Sequence, residues 1–194
     1  MFRKLTFTLF VSLFTITFLL GQDTRPKTTD SILKDSYKEA KASDKNVFLI
    51  FHASWCSWCK RLEKAMQSDE LKKIFEDNFI ITHLDVQERG DKIKELENPG
   101  GNEVMKSFGG EKSGLPFYVL LDAAGKKLAD SNVMDKNSNI GYPGSDEEIA
   151  AFGKLLKVSA KHLSNENYSV IINYLKKNAP KSTPAPTAVP KEKS

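Results

Sequence analysis

The stretch Val47–Met66, reading VFLIFHASWCSWCKRLEKAM, limits what this chain can become more than any other. It opens on a continuous apolar run, Val47 to Phe51, bounded by Asp44-Lys45-Asn46 and too short for a free-standing helix, so it predicts a buried strand. It closes as a helix: Cys59, Leu62 and Met66 fall on one face at helical spacing, while Lys60, Arg61, Glu63 and Lys64 lie off it. Between the two elements sit Cys56 and Cys59, the chain's only cysteines.

That placement has a chemical meaning. A cysteine in the first turn of a helix faces unpaired backbone N–H groups and the positive end of the helix dipole, and both favour thiolate over thiol. A second cysteine three residues on returns beneath the first, so the two sulfurs can close a small disulfide and reopen it. Cys56 is the expected nucleophile. Cys59, one turn in, is expected to be better shielded and to resolve the mixed disulfide. Other uses of a Cys pair fit less well. A purely structural bridge across two residues closes a tiny loop and stabilises little. A zinc site needs two further ligands, and His52, His83 and His162 have no paired spacing. Haem attachment needs His after the second Cys, where this chain has Lys60.

A strand followed by Ala-Ser-Trp-Cys-x-x-Cys-Lys and a helix resembles the active-site segment of the thioredoxin superfamily, over roughly Tyr37 to Lys127. It is most similar to the exported, periplasmic branch that includes the C-terminal domain of the disulfide reductase DsbD. The resemblance implies an α/β fold: a thioredoxin-like central mixed β-sheet flanked by α-helices, with an insertion before a cis proline and an extra C-terminal helix. It implies that Leu115-Pro116, at the head of the apolar run Phe117–Leu121, is that cis bond, facing the Cys pair and leaving the Leu115 backbone free to pair with an incoming peptide. Trp55, Trp58, Leu115 and Pro116 are the candidate substrate contacts. The family's buried strand carboxylate, a proton carrier, falls here on Ile50, which carries no proton. His52, on the same strand face, is the candidate replacement, with Glu63 and Asp85 as further proton carriers.

The rest of the chain reads as follows. Arg3 and Lys4 precede Leu5–Leu20, a charge-free run short of the roughly 20 residues that span a bilayer. Residues 1–21 are expected to be a secretory signal peptide rather than an uncleaved anchor, 22–29 a linker, 30–179 the domain, and 180–194, with its four prolines, a disordered tail. Helices are expected from Asp30 (as N-cap) to Ser43, to about Asn78, from the Ser145-x-x-Glu148 capping box, and from His162 to Ala179 with Ser164 as cap. A second strand over Phe79–Val86 should pair in parallel with the first, and Lys127–Ser131 should pair with the strand after Pro116. In the insertion, Glu88 to Glu97 is expected to be a solvated helical start, Asn98-Pro-Gly-Gly-Asn102 a loop and Glu103–Phe108 one or two helical turns. The glycines there lack the spacing of a phosphate loop.

The formal net charge of +4 comes from the two ends: Arg3 and Lys4 at one, and Lys181, Lys191 and Lys193 against Glu192 at the other. The body is balanced and has no basic stripe that argues for nucleic acid. The expectation is an exported thiol–disulfide oxidoreductase, periplasmic or secreted and monomeric, needing no cofactor or metal. It would reduce disulfides of exported proteins and draw electrons from a membrane donor. The alternatives are a non-catalytic module that holds a peptide on the same face, and copper or zinc handling by the reduced Cys pair with His52.

Overall fold

A computed structural model describes residues 26–180. The expected signal peptide, residues 22–25 of the linker and the tail from residue 181 lie outside the described residues. The elements are α1 Thr29–Ala42, β1 Asn46–His52, α2 Ser57–Met66, α3 Lys72–Asn78, β2 Phe79–Asp85, α4 Lys92–Leu96, α5 Gly101–Ser107, β3 Phe117–Leu121, β4 Lys127–Asp130, α6 Asp146–Ser159 and α7 Asn165–Lys177.

The strands form one mixed sheet in the order β2-β1-β3-β4. β1 pairs in parallel with β2, Ile50 opposite His83 and His52 opposite Asp85. β3 runs antiparallel to β1, and β4 antiparallel to β3. Alternation along β1 sends Phe48 and Ile50 to one face, and Val47, Leu49 and Phe51 to the other. Helices cover both faces, which is why β1 reads as an unbroken apolar run. Phe48 and Ile50 join Leu62 and Met66 of α2, Phe75 of α3, Phe152 and Leu156 of α6, and Ile171 and Leu175 of α7. Val47, Leu49 and Phe51 join Leu33 of α1, Met105 of α5 and Phe117, Val119 and Leu121 of β3. The expected mixed sheet flanked by helices, with a C-terminal helix, is present.

Local boundaries follow the caps. Ser145 and Glu148 form the reciprocal capping box of α6, and Ser164 caps α7. The N-cap of α1 is Thr28, not Asp30: its Oγ1 accepts the Ser31 N–H at 3.4 Å, and Asp30 sits in the first turn, where its charge suits the dipole. Residues 27–29, assigned above to a linker, are tied into the body. The buried Thr29 donates its N–H to Pro99 O at 3.0 Å, and Asn98 Nδ2 donates to Lys27 O at 3.0 Å. The expected Asn98–Asn102 loop is shorter than drawn, because α5 starts at Gly101. Gly100 takes the left-handed conformation, and Gly101 lies where a Cβ would stand 2.9 Å from Val86 Cγ1.

Candidate functional site

The site lies at the C-terminal end of the inner strand β1. Cys56 is the N-cap residue of α2 and Cys59 sits in its first turn. The two are joined in a disulfide, with Cα atoms 5.3 Å apart. The Cys56 sulfur accepts the Cys59 N–H at 3.1 Å, so it occupies the place a Ser or Asp side chain takes at an ordinary helix start. Ala53 and Leu115 cover the pair. The expected contrast in shielding is absent with the bridge closed: Cys56 is 3% exposed and Cys59 5%.

The turn ahead of the cysteines is held from the side. The Glu88 carboxylate accepts both the Ser54 N–H and, at 2.7 Å, the Ser54 hydroxyl. Glu88 is buried, 6% exposed, and not part of a solvated run. Its burial follows from topology: it comes just after β2, and parallel pairing brings the end of β2 beside the end of β1. That adjacency was the one signal in the sequence that pointed to it. Trp55 Nε1 donates to Gln87 O at 2.8 Å, and the Arg89 guanidinium lies 4.1 Å from the Trp55 ring. On the other side, Trp58 stacks on Tyr142 with centroids 6.0 Å apart. Both tryptophans are exposed, 41% and 47%.

Leu115-Pro116 is cis and lies beside the cysteines, through Leu115. Its segment is clamped by Asn139, whose Nδ2 donates to Gly114 O at 2.6 Å and to Pro116 O at 2.9 Å. Nothing in the sequence marked Asn139 beyond its place in a polar loop. Among the described residues, neither the N–H nor the C=O of Leu115 has a hydrogen-bond partner.

His52, His83 and Asp85 meet on the α2 face of the sheet. His52 Nε2 stands 3.4 Å from Asp85 Oδ1 but is not aligned as a hydrogen bond, and the two imidazole rings are 5.0 Å apart. Burial pushes the His83 pKa below its ordinary value, and the neighbouring His52 pushes it the same way. Burial raises the Asp85 carboxyl above its ordinary value; His52 opposes that, while Glu88 and Glu63 add to it. His52 and Glu63, the other two expected proton carriers, thus both act on the charge of Asp85. Ile50 is buried in the core under α2. With both sulfurs bonded to each other, neither is free as a metal-binding thiolate in this state.

Residues 29–123 match the family described as thioredoxin-like. Two curated relatives share a 59-residue segment: an uncharacterized protein of Caenorhabditis elegans, 34% identical, and spermatogenesis-associated protein 20 of Mus musculus, 32% identical. The segment is 30% of this chain, and the chain spans only 8% of the length of either relative. Similar solved structures include a disulphide isomerase from Xylella fastidiosa Temecula1, at 18% identity and a TM-score of 0.45, covering 84% of this chain and 97% of that one. A DsbH oxidoreductase matches at 22% identity and a TM-score of 0.43, covering 69% and 84% of the two chains. A thioredoxin-fold protein from Helicobacter pylori matches at 20% identity and a TM-score of 0.40, with the same coverage. Over residues 29–123 the chain thus matches the thioredoxin-like family, and within that match Cys56 caps the helix that follows the inner strand.

Proposed function

We propose that the protein is an exported protein-disulfide reductase. The observation that carries this reading is the Cys56 sulfur seated as the N-cap acceptor of α2, 3.1 Å from the Cys59 nitrogen. In the reduced protein the same N–H and the helix dipole favour a thiolate at Cys56. That thiolate attacks one sulfur of a substrate disulfide. A Cys56–substrate bond forms, and the second substrate sulfur leaves as a thiolate that takes up a proton. Cys59 then loses its proton and attacks the Cys56 sulfur. The mixed bond breaks, the first substrate sulfur leaves and is protonated, and the Cys56–Cys59 bridge remains. Two electrons pass to the substrate, and an external dithiol donor, here a membrane electron carrier, must supply them again.

His52, backed by Asp85, is assigned the proton taken from Cys59. The unpaired Leu115 backbone supports docking of an extended substrate segment by main-chain pairing, and the exposed faces of Trp55 and Trp58 support contact with its side chains. Arg3, Lys4 and the charge-free run after them support export, and no helix among the described residues is long and apolar enough to cross a membrane.

The test is a trap. Cys59→Ser keeps the backbone N–H that faces Cys56 but removes the resolving thiol. The variant should accumulate adducts with exported proteins, visible on non-reducing gels and released by reductant, while Cys56→Ser forms none. In the reduced wild-type protein, Cys56 should alkylate faster than Cys59 near neutral pH. An adduct-free Cys59→Ser protein, or faster alkylation at Cys59, overturns the reading.

A further inference from the structure

A groove of about 520 Å³ opens beside the cysteines, between α2 and the end of α7. Part of its lining is aromatic: Trp58 and Tyr142 stack with their planes 23° apart, and Tyr174 of α7 lines the same groove. Part is cationic: Lys60, Arg61 and Lys64 of α2. Among the described residues none of these three cations has a carboxylate partner. Glu63, their neighbour in sequence, acts instead on His83 and Asp85 at the other side of α2.

Arg61 is held in place. Its guanidinium lies 5.0 Å from the Tyr142 ring and 5.9 Å from the Trp58 ring, and Nη2 donates to Asn178 O at 2.8 Å. That bond uses one of five N–H donors, and the planar fork matches a carboxylate. Helix stability accounts for only part of the arrangement: Lys64, in the last turn of α2, suits the dipole there, but like charges at Lys60 and Lys64, four apart on one face, weaken the helix. The body as a whole is charge-balanced, so this is a local excess, and it adjoins Ser57 and Trp58 between the two cysteines.

We propose that the groove selects substrates by binding an acidic segment next to their disulfide. A carboxylate lies on Arg61 and the two lysines, and an apolar side chain lies against Trp58 and Tyr142. Charge complementarity chooses this occupant. A patch of three cations beside a redox pair, without a longer basic stripe, fits a short peptide better than a nucleic acid. The inference rests on the proposed exchange reaction only for what the segment delivers, a disulfide to Cys56.

Two disulfide-bridged peptides, identical except for Glu or Gln at four positions flanking the bridge, supply the test. The reduced protein should open the Glu peptide about tenfold faster at low ionic strength. The ratio should approach one near roughly 1 M salt, where charges are screened within about 3 Å. Lys60→Glu with Lys64→Glu should drive the ratio below one, and Lys60→Gln with Lys64→Gln should bring it close to one. A wild-type ratio of one, with the Gln peptide still reduced, overturns the groove proposal and leaves the exchange reaction standing. No reaction with either peptide counts against the exchange reaction instead, and the groove is then read by binding alone. In calorimetry, the Cys56→Ser, Cys59→Ser protein should bind a cysteine-free Glu peptide, and the added Lys→Glu pair should abolish that binding. Absence of binding, or tighter binding of a single-stranded oligonucleotide than of the peptide, overturns the proposal.

Discussion

Glu88 shows how much one carboxylate can organise. It accepts from the N–H and hydroxyl of Ser54, while its own N–H donates to Glu97 Oε2 at 2.9 Å. Removing it leaves a partly buried backbone donor without a partner, the expensive half of breaking a hydrogen bond. Glu88→Ala is therefore expected to lose about 1–3 kcal/mol of stability, and Glu88→Gln less, since an amide oxygen still accepts one bond. Urea midpoints of the two variants check this, and an unchanged midpoint for Glu88→Ala would contradict it. In the sequence Glu88 stands among Arg89, Asp91, Lys92 and Glu95 and looks like part of a solvated face. Cys56 and Cys59 were legible because their spacing carries chemistry by itself. Glu88 and Asn139 were not, because each matters only through a partner far away in the chain.

At the scale of elements, α5 meets β3 at Gly110. A Cβ there would lie 2.5 Å from Phe117 Cδ1 and Cε1 and 2.9 Å from Met105 Cγ. Phe117 is fully buried and stacks on Phe51 with centroids 5.6 Å apart, so it has nowhere to retreat. Gly110→Ala is expected to destabilise by about 1–3 kcal/mol through overpacking. Because Phe117 follows Leu115-Pro116, the variant should also lose more rate with protein disulfides than with a small aromatic disulfide. Thermal melting and paired rate measurements check both. The regular elements were readable: the unbroken apolar run of β1, helical spacing in α2, the reciprocal cap of α6. The segment from Gln87 to Ser113 was readable only coarsely. Asn98-Pro-Gly-Gly signals a loop, yet α5 begins inside it at Gly101, where the closeness of Val86 leaves no room for a side chain.

For the whole molecule, the half-buried imidazole of His83 sets a direction for stability against pH. Its folded pKa is depressed, so the unfolded chain takes up a proton first as pH falls through about 6.5. His83's contribution is full above that value and is lost as pH falls. Asp85 works the opposite way: its folded pKa is raised, so its contribution is present at low pH and lost as pH rises above its unfolded value of about 3.9. The urea midpoint is expected to fall from about pH 7.5 to about 5.5, and His83→Gln should flatten that fall. Equal slopes for the two proteins would remove His83 from the account.

Trp55 and Trp58 are the chain's only tryptophans, and they flank the Cys56–Cys59 bridge, each with an arginine near its ring. Excitation in the indole band therefore deposits its energy beside the reacting sulfurs, while the aromatics of the core are Phe and Tyr. A disulfide quenches an excited indole by accepting its electron, and a pair of thiols does so less. The unmodified chain is consequently expected to be its own optical gauge: emission should rise as the bridge opens, so that a redox titration could be followed without a dye.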